Sequence, residues 1–246
     1  MSNALQHQPT SSCIVQDVQP ILTELQETVT THFYGAHDAE REPLEQFIHA
    51  VFKQTFGADL RAFYPNLLAF TTGAQIRGVV GYRDGMVKPL FSEQYLDSPA
   101  DRVMSIHLNQ DVDRRHLVEV GNLALAGRGE VRWVIAAMTM FLYAAGYRWV
   151  LFTAVKPLYN AFQRLGLKPI QIAKPDPKRL PEGGNNWGSY YRAGPVVCAG
   201  DIEAGYKKLS AFVSPRQPML DALLQEALYR GLSVRFGDAK GIGKTG

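Results

Sequence analysis

Apolar residues first recur at helical spacing over residues 40–56, where Leu44, Phe47, Ile48, Val51, Phe52 and Phe56 share one side. That predicts an amphipathic helix, and Gly57 stands where a helix stop belongs. Two short strand-like runs follow, 67–72 and 76–82, with Gly73, Ala74 and Gln75 between them as a tight hairpin. Residues 89–96 are mixed and read as a strand edge or a short turn. Ser98-Pro99-Ala100-Asp101 reads as a helix start, with Ser as the N-cap and Pro in the first turn.

From Leu117 the pattern tightens. Residues 117–125 form a strand with few polar interruptions, 132–147 are apolar nearly all round, and 149–155 form a second apolar strand. Such strands belong in the middle of a sheet, and such a helix must be buried against one. Pro157 opens a further helix that ends near Leu165 and Gly166. Residues 170–173 suggest a short strand, and 174–186 (KPDPKRLPEGGNN) form a loop. Strand pieces at 187–191 and 195–199 flank an Arg-Ala-Gly interruption, and 201–212 are helical. Met219, Leu220, Leu223, Leu224, Ala227 and Leu228 make a last amphipathic helix, which either caps the core or forms a homodimer contact. Strands first and strand–helix alternation afterwards predict an α/β chain with a mixed sheet and helices on both faces. The expected division is a loose leader over 1–19, one domain over 20–213, and a terminal helix and tail over 214–246.

Composition narrows the function classes. The chain has 246 residues, 46% hydrophobic and 20% charged, which suits one domain with a real core. A net charge of +3 without a long basic run argues against nucleic acid. The two cysteines, Cys13 and Cys198, suggest neither a disulfide framework nor a metal knuckle, and the six histidines show no ligand spacing, so no metal is expected. The N-terminus lacks the basic and apolar regions of a secretory signal, and the longest apolar run, 133–147, falls short of the ~20 residues of a membrane span. A cytoplasmic protein without an integral membrane segment is the expectation. Residues 238–245 (DAKGIGKT) imitate a phosphate-binding loop, but the first glycine is missing and no helix can follow.

Four constellations could carry chemistry. After the first apolar strand comes Gly127-Arg128-Gly129-Glu130-Val131-Arg132. Free backbone N–H groups, a helix N-terminus and two arginines at such a turn favour a phosphate. The plainer reading is an ordinary strand-to-helix turn. Glu119 lies mid-strand, and strict alternation puts Glu119, Gly121, Leu123 and Leu125 on one face, with Val118, Val120, Asn122 and Ala124 on the other. A carboxylate there is costly unless paired or used; burial would raise its pKa and suit it to general-base work, while Arg77, Arg83 or Arg115 could pair with it instead. Asn160 is an indifferent helix residue, with either a side-chain role or plain exposure. Trp187-Gly-Ser-Tyr190-Tyr could line an acyl or acceptor pocket, or complete the core.

The blocks FSEQYLD (91–97), VEVGNLA (118–124), WVLFT (149–153), LGL (165–167) and WGSYY (187–191) together resemble the thermostable hemolysin family of Gram-negative bacteria, over about residues 56–202. That family's name reflects a reported haemolytic activity. Its sequences look like those of GNAT acyltransferases and, distantly, of acyl-homoserine-lactone synthases. The resemblance implies a GNAT-like, mostly antiparallel sheet with helices on both faces. It also implies an acyltransferase that moves an acyl group from a thioester donor to an amine or hydroxyl of a small-molecule acceptor. The donor would be acyl-CoA or an acyl group on the phosphopantetheine of an acyl carrier protein. Arg128, Gly129, Glu130, Val131 and Arg132 would hold its phosphate. Backbone near Leu123, Ala124 and Leu125 would pair with the pantetheine amides, and Asn160 would assist. Glu119 would act as the base, with Asn122 and Tyr190 in the reacting set. The pyrophosphate-loop pattern Q/R-x-x-G-x-G/A is kept only in part. Phe162 stands where many GNAT enzymes place a Tyr acid, so Tyr159 or Tyr190 would supply the proton, or the thiolate would leave unassisted. Two other readings follow from the same features: a membrane-active haemolysin, and a non-catalytic acyl-thioester-binding module.

Overall fold

The computed structural model describes residues 25, 27–87, 89–211 and 217–237. The expected leader over 1–19, with Cys13, and the tail from Asp238 lie outside the described residues. An edge strand, β1 (Thr30–Tyr34), opens the fold. Its Thr-Thr-His start carries too little apolar alternation to announce a strand, and it is held by pairing with β2. The predicted first helix is α1 (Glu42–Phe56), burying Leu44, Ile48 and Phe52. Gly57 ends it at φ 68°, a left-handed cap that glycine adopts without strain. The hairpin is β2 (Asn66–Thr72) and β3 (Gln75–Asp84).

After α2 (Ala100–Leu108) the chain alternates as expected: β4 (Leu117–Leu125), α3 (Val131–Ala144), β5 (Trp149–Ala154), α4 (Lys156–Arg164) and β6 (Ile170–Ala173). It closes with β7 (Val196–Asp201), α5 (Ile202–Ser210) and α6 (Pro218–Phe236). The sheet order is β1-β2-β3-β4-β5-β7-β6, antiparallel throughout except for the parallel pair β4–β5. One face is covered by α3, α4, α5 and α6, whose apolar residues join Leu68, Phe70, Val80, Tyr82 and Val118. The other face is covered by α1 over β2–β4 and by α2 over the β5–β7–β6 end. The all-apolar helix is explained by this layering, because α3 lies between the sheet and α6. Gly231 marks the crossing; a Cβ there would stand 2.2 Å from the Phe141 carbonyl oxygen. The terminal helix therefore caps the core with Leu220, Leu223, Leu224 and Ala227. Among the described residues, no helix is long and apolar enough to cross a membrane.

Of the two readings for residues 89–96, the short turn is the one found, a 3-10 turn over Phe91–Tyr95. Two local expectations are corrected. Ser98 does not cap α2; the Ala100 N–H donates to the Glu93 carboxylate at 2.8 Å. Residues 187–191 do not join the sheet. The chain runs through 3-10 turns on either side of Gly188, which sits at φ 55° and ψ −122° with its Cα against the Phe56 carbonyl. The Ser189 N–H and hydroxyl both donate to that carbonyl, at 2.7 and 3.1 Å, so the WGSYY block folds around the end of α1.

Candidate active site

The site begins where the parallel pair comes apart. The β4–β5 ladder runs from Leu117↔Trp149 to Val120↔Phe152 and stops there. Beyond Val120, the β4 edge toward β5 has no strand partner. On the other side of β4, the register passes from Gly81↔Gly121 to Val79↔Ala124, so Asn122 and Leu123 together oppose Val80. This is a β-bulge, and Asn122 takes φ 48°, a left-handed conformation that Asn tolerates better than most residues. The bulge reverses the alternation expected for this strand. Leu123 and Leu125 turn to the α3 side with Val118 and Val120, while Ala124 packs on the α1 side. The Asn122 Oδ1 accepts the Tyr64 N–H at 2.8 Å, which also places its side chain on the Glu119 side.

Glu119 is fully buried. Its two carboxylate oxygens accept the N–H groups of Phe91 and Ser92, at 2.7 and 2.6 Å. Those donors sit in a turn held from behind. Glu93 accepts the Leu90 and Ala100 N–H groups at 2.8 Å each and pairs with Arg114, which also binds Asp101 at 2.8 Å and the Gly85 carbonyl at 2.6 Å. Burial raises the Glu119 pKa above the ordinary carboxylate range, against the pull of the Ser92 and Phe91 hydrogen bonds and the charge of Arg83. Arg83 lies directly across the β3–β4 pair; Arg77 and Arg115 are engaged elsewhere, with Glu130 and Asp113. The Tyr64 phenol faces Glu119, and its pKa is raised by burial first and by the charge of that carboxylate second. Its ring lies over Gly121, where a Cβ would meet Tyr64 Cζ at 2.8 Å. Tyr64 lines the cleft described next, and Glu119 stands one layer behind the wall.

A cleft of about 2210 Å³ passes through the gap between β4 and β5. On the α1 side its wall is aromatic, with Phe52, Phe56, Phe91, Trp187 and Tyr190 in mutual ring contact. Trp187 and Tyr190 thus serve both readings of their block, packing against α1 and lining the cavity. Tyr190 is a neutral phenol at physiological pH, because burial pushes its pKa upward. At the α3–α4 end the lining includes Arg128, Arg132, Lys156, Asn160, Arg164 and Lys168. Helix α3 begins there without a side-chain cap. The Glu130 side chain turns inward to Arg77 at 2.6 Å, and its N–H closes the turn on the Gly127 carbonyl at 3.3 Å. Phe162 stacks on Phe152 with centroids 4.8 Å apart, and the Tyr159 hydroxyl donates to the Pro169 carbonyl at 3.3 Å.

The structure therefore brings Asn122, Leu123 and Tyr190 to one cleft with Arg128, Val131, Arg132 and Asn160, and sets Glu119 one layer behind its wall; Gly129 and Glu130 do not line it. Sequence reading missed Tyr64 and the two N–H donors of the 91–95 turn, since nothing local marks residues that act through the fold.

The model of the thermostable hemolysin family matches residues 34–206. The chain belongs to the thermostable hemolysin family. No curated relative matches the chain. Among solved structures, this family member is similar to the AHL synthase LasI, at TM-score 0.52 and 12% identity over 76% of this chain and 98% of that one. It is similar to FeeM, an N-acyl amino acid synthase from uncultured soil microbes, at TM-score 0.51 and 11% identity over 76% and 98%. It is also similar to the apo form of TofI, at TM-score 0.51 and 17% identity over 77% and 98%. At these identities the likeness is one of fold, the GNAT-like fold.

Proposed function

We propose that this protein transfers an acyl group from a thioester donor, acyl-CoA or acylated carrier protein, to an amine or hydroxyl of a small molecule. The observation that carries this reading is the gap between β4 and β5, open through the sheet and backed by a buried carboxylate. The residues present suit such a donor. Arg128, Arg132 and the uncapped N-terminus of α3, with the N–H groups of Gly129 and Val131, receive phosphate. Asn160 lines the same end. The unpartnered edge of β4 at Leu123, Ala124 and Leu125 offers backbone groups to an amide-bearing arm. The aromatic wall receives apolar chain.

In the reaction, the acceptor attacks the thioester carbonyl. Its proton passes to the Tyr64 oxygen as the Tyr64 proton passes to Glu119. A carbon–nitrogen or carbon–oxygen bond forms and the carbon–sulfur bond breaks. The Tyr190 phenol gives its proton to the departing sulfur and recovers one from water, while Glu119 releases the proton it received. Asn122 positions Tyr64 through its N–H. General-base action of this kind contributes about 10²–10⁴ in rate.

The test is thermal stabilisation of the purified chain by a panel of acyl-CoAs and an acylated carrier protein. A ligand that binds only the folded state raises Tm. A rise that depends on acyl length and is lost in Arg128→Ala supports the reading; no rise with any donor opposes it.

A further inference from the structure

Arg83 is under-used for a guanidinium in its position. Arg77, Arg114, Arg148 and Arg179 each have a carboxylate oxygen within 3.0 Å. Among the described residues Arg83 has no such partner. Its Nη1 donates to the Pro89 carbonyl at 3.2 Å, and its Nε is buried without an acceptor. An orphaned buried donor costs free energy, and a guanidinium offers five donors in a planar fork matched to a carboxylate. The group is not loose. It stacks on Tyr64, with its central carbon 5.0 Å from the ring centroid, and both residues line the cleft.

Distance separates this arginine from the phosphate end. Arg83 pairs with Glu119 across the β3–β4 ladder, whereas the phosphate turn follows Leu125. Six residues of strand span roughly 20 Å. Alternation along β3 also sets Arg83 on the face opposite Tyr82, which packs toward α3. The anion for Arg83 therefore belongs to whatever occupies the Tyr64 side of the cleft. In the acyl-transfer reading, on which this inference rests, that is the acceptor.

We propose that Arg83 binds the acceptor, and that the acceptor is a small amino acid or similar amine whose carboxylate sits on the guanidinium while its amine faces Tyr64. The guanidinium lies against the Tyr64 ring, 5.0 Å from its centroid, and both line the cleft, so one small molecule carrying an amine and a carboxylate can meet both groups. A plain amine or alcohol would leave the fork unfilled.

The experiment measures binding of N-decanoylglycine and of its methyl ester to the full chain by calorimetry. Wild type should bind the acid about ten- to a hundredfold more tightly than the ester, the range expected of charge-assisted hydrogen bonds. Arg83→Gln should bind the two alike, and Arg83→Lys should recover part of the preference. A melting curve on each variant separates lost preference from lost fold. Equal binding of acid and ester by wild type, preference kept in Arg83→Gln, or no binding of either overturns the site. Thiol release from decanoyl-CoA, with glycine against glycinamide as acceptor, tells the two readings apart. Release without discrimination removes the carboxylate site alone. Acid preference without release removes the transfer reading alone.

Discussion

Gly121→Ala perturbs the wall of the cleft without replacing a titratable group. The added methyl would stand 2.8 Å from Tyr64 Cζ, 2.9 Å from its hydroxyl oxygen and 3.1 Å from Cε2. The ring must retreat by about 0.6 Å to reach an ordinary contact of 3.4 Å. It cannot do so freely, because the Tyr64 backbone N–H is bound to Asn122 and Arg83 lies on the face of the ring. Overpacking of this kind costs about 1–3 kcal/mol, of which a strand Gly→Ala change returns about 0.5–1 through reduced backbone entropy. The expected net loss is about 1–2 kcal/mol, a Tm lower by about 2–8 °C for a chain of this size. Turnover should fall more than stability does. Misplacement of a reacting group by about 1 Å costs about a hundredfold, so the displaced phenol should cost at least about tenfold. Thiol release from an acyl-CoA, followed at a temperature where the variant remains folded, measures this. Unchanged turnover with an unchanged Tm would refute the packing of Tyr64 on Gly121. Unchanged turnover with a lowered Tm would refute the role of Tyr64 in proton transfer.

Two further substitutions test the scaffold. Arg114→Met should destabilise by about 2–3 kcal/mol near neutral pH, less than for a fully buried pair because Glu93 keeps the N–H groups of Leu90 and Ala100. Burial alone would raise the Glu93 carboxyl, but Arg114 and those N–H groups outweigh it and hold it below the usual range. Its contribution is present above the unfolded carboxylate pKa and is lost as pH falls through the lower folded value. The gap between wild type and variant should therefore narrow on acidification, and urea melts across that range would show otherwise if the network were idle. Gly231→Ala forces α6 away from the Phe141 carbonyl and should lower stability by about 3 kcal/mol, or Tm by about 6–12 °C; a smaller shift would mean that α6 does not press on α3.

Much of the fold was legible in periodicity. The helix over 40–56, the hairpin, the strand 117–125 and the α3–β5–α4 succession follow from apolar spacing, because their burial is set by neighbours close in sequence. The open gap between β4 and β5 is harder to see. A single residue in left-handed conformation, Asn122, shifts the register and sends Leu123 and Leu125 to the opposite face, a change that strict alternation cannot anticipate. The aromatics of WGSYY look like strand residues until Gly188 is pressed against the Phe56 carbonyl, a contact with a partner more than a hundred positions away. Glu119 was conspicuous because a carboxylate in an apolar strand demands a partner. The partners, Tyr64 and the backbone of Phe91 and Ser92, are ordinary residues that only the fold brings to it.

The most direct test of the acyl-transfer account is the pH dependence of thioester-dependent acylation in wild type and Glu119→Gln, with the acylated product identified by mass spectrometry. The carboxylate must be ionised to take a proton, and burial raises its pKa, so the acid limb of the wild-type rate should lie above the ordinary carboxylate range. In Glu119→Gln that limb should disappear and the rate should drop by about 10²–10⁴, while donor binding persists. Product formed at an equal rate by the variant, with the same pH profile, would contradict the account.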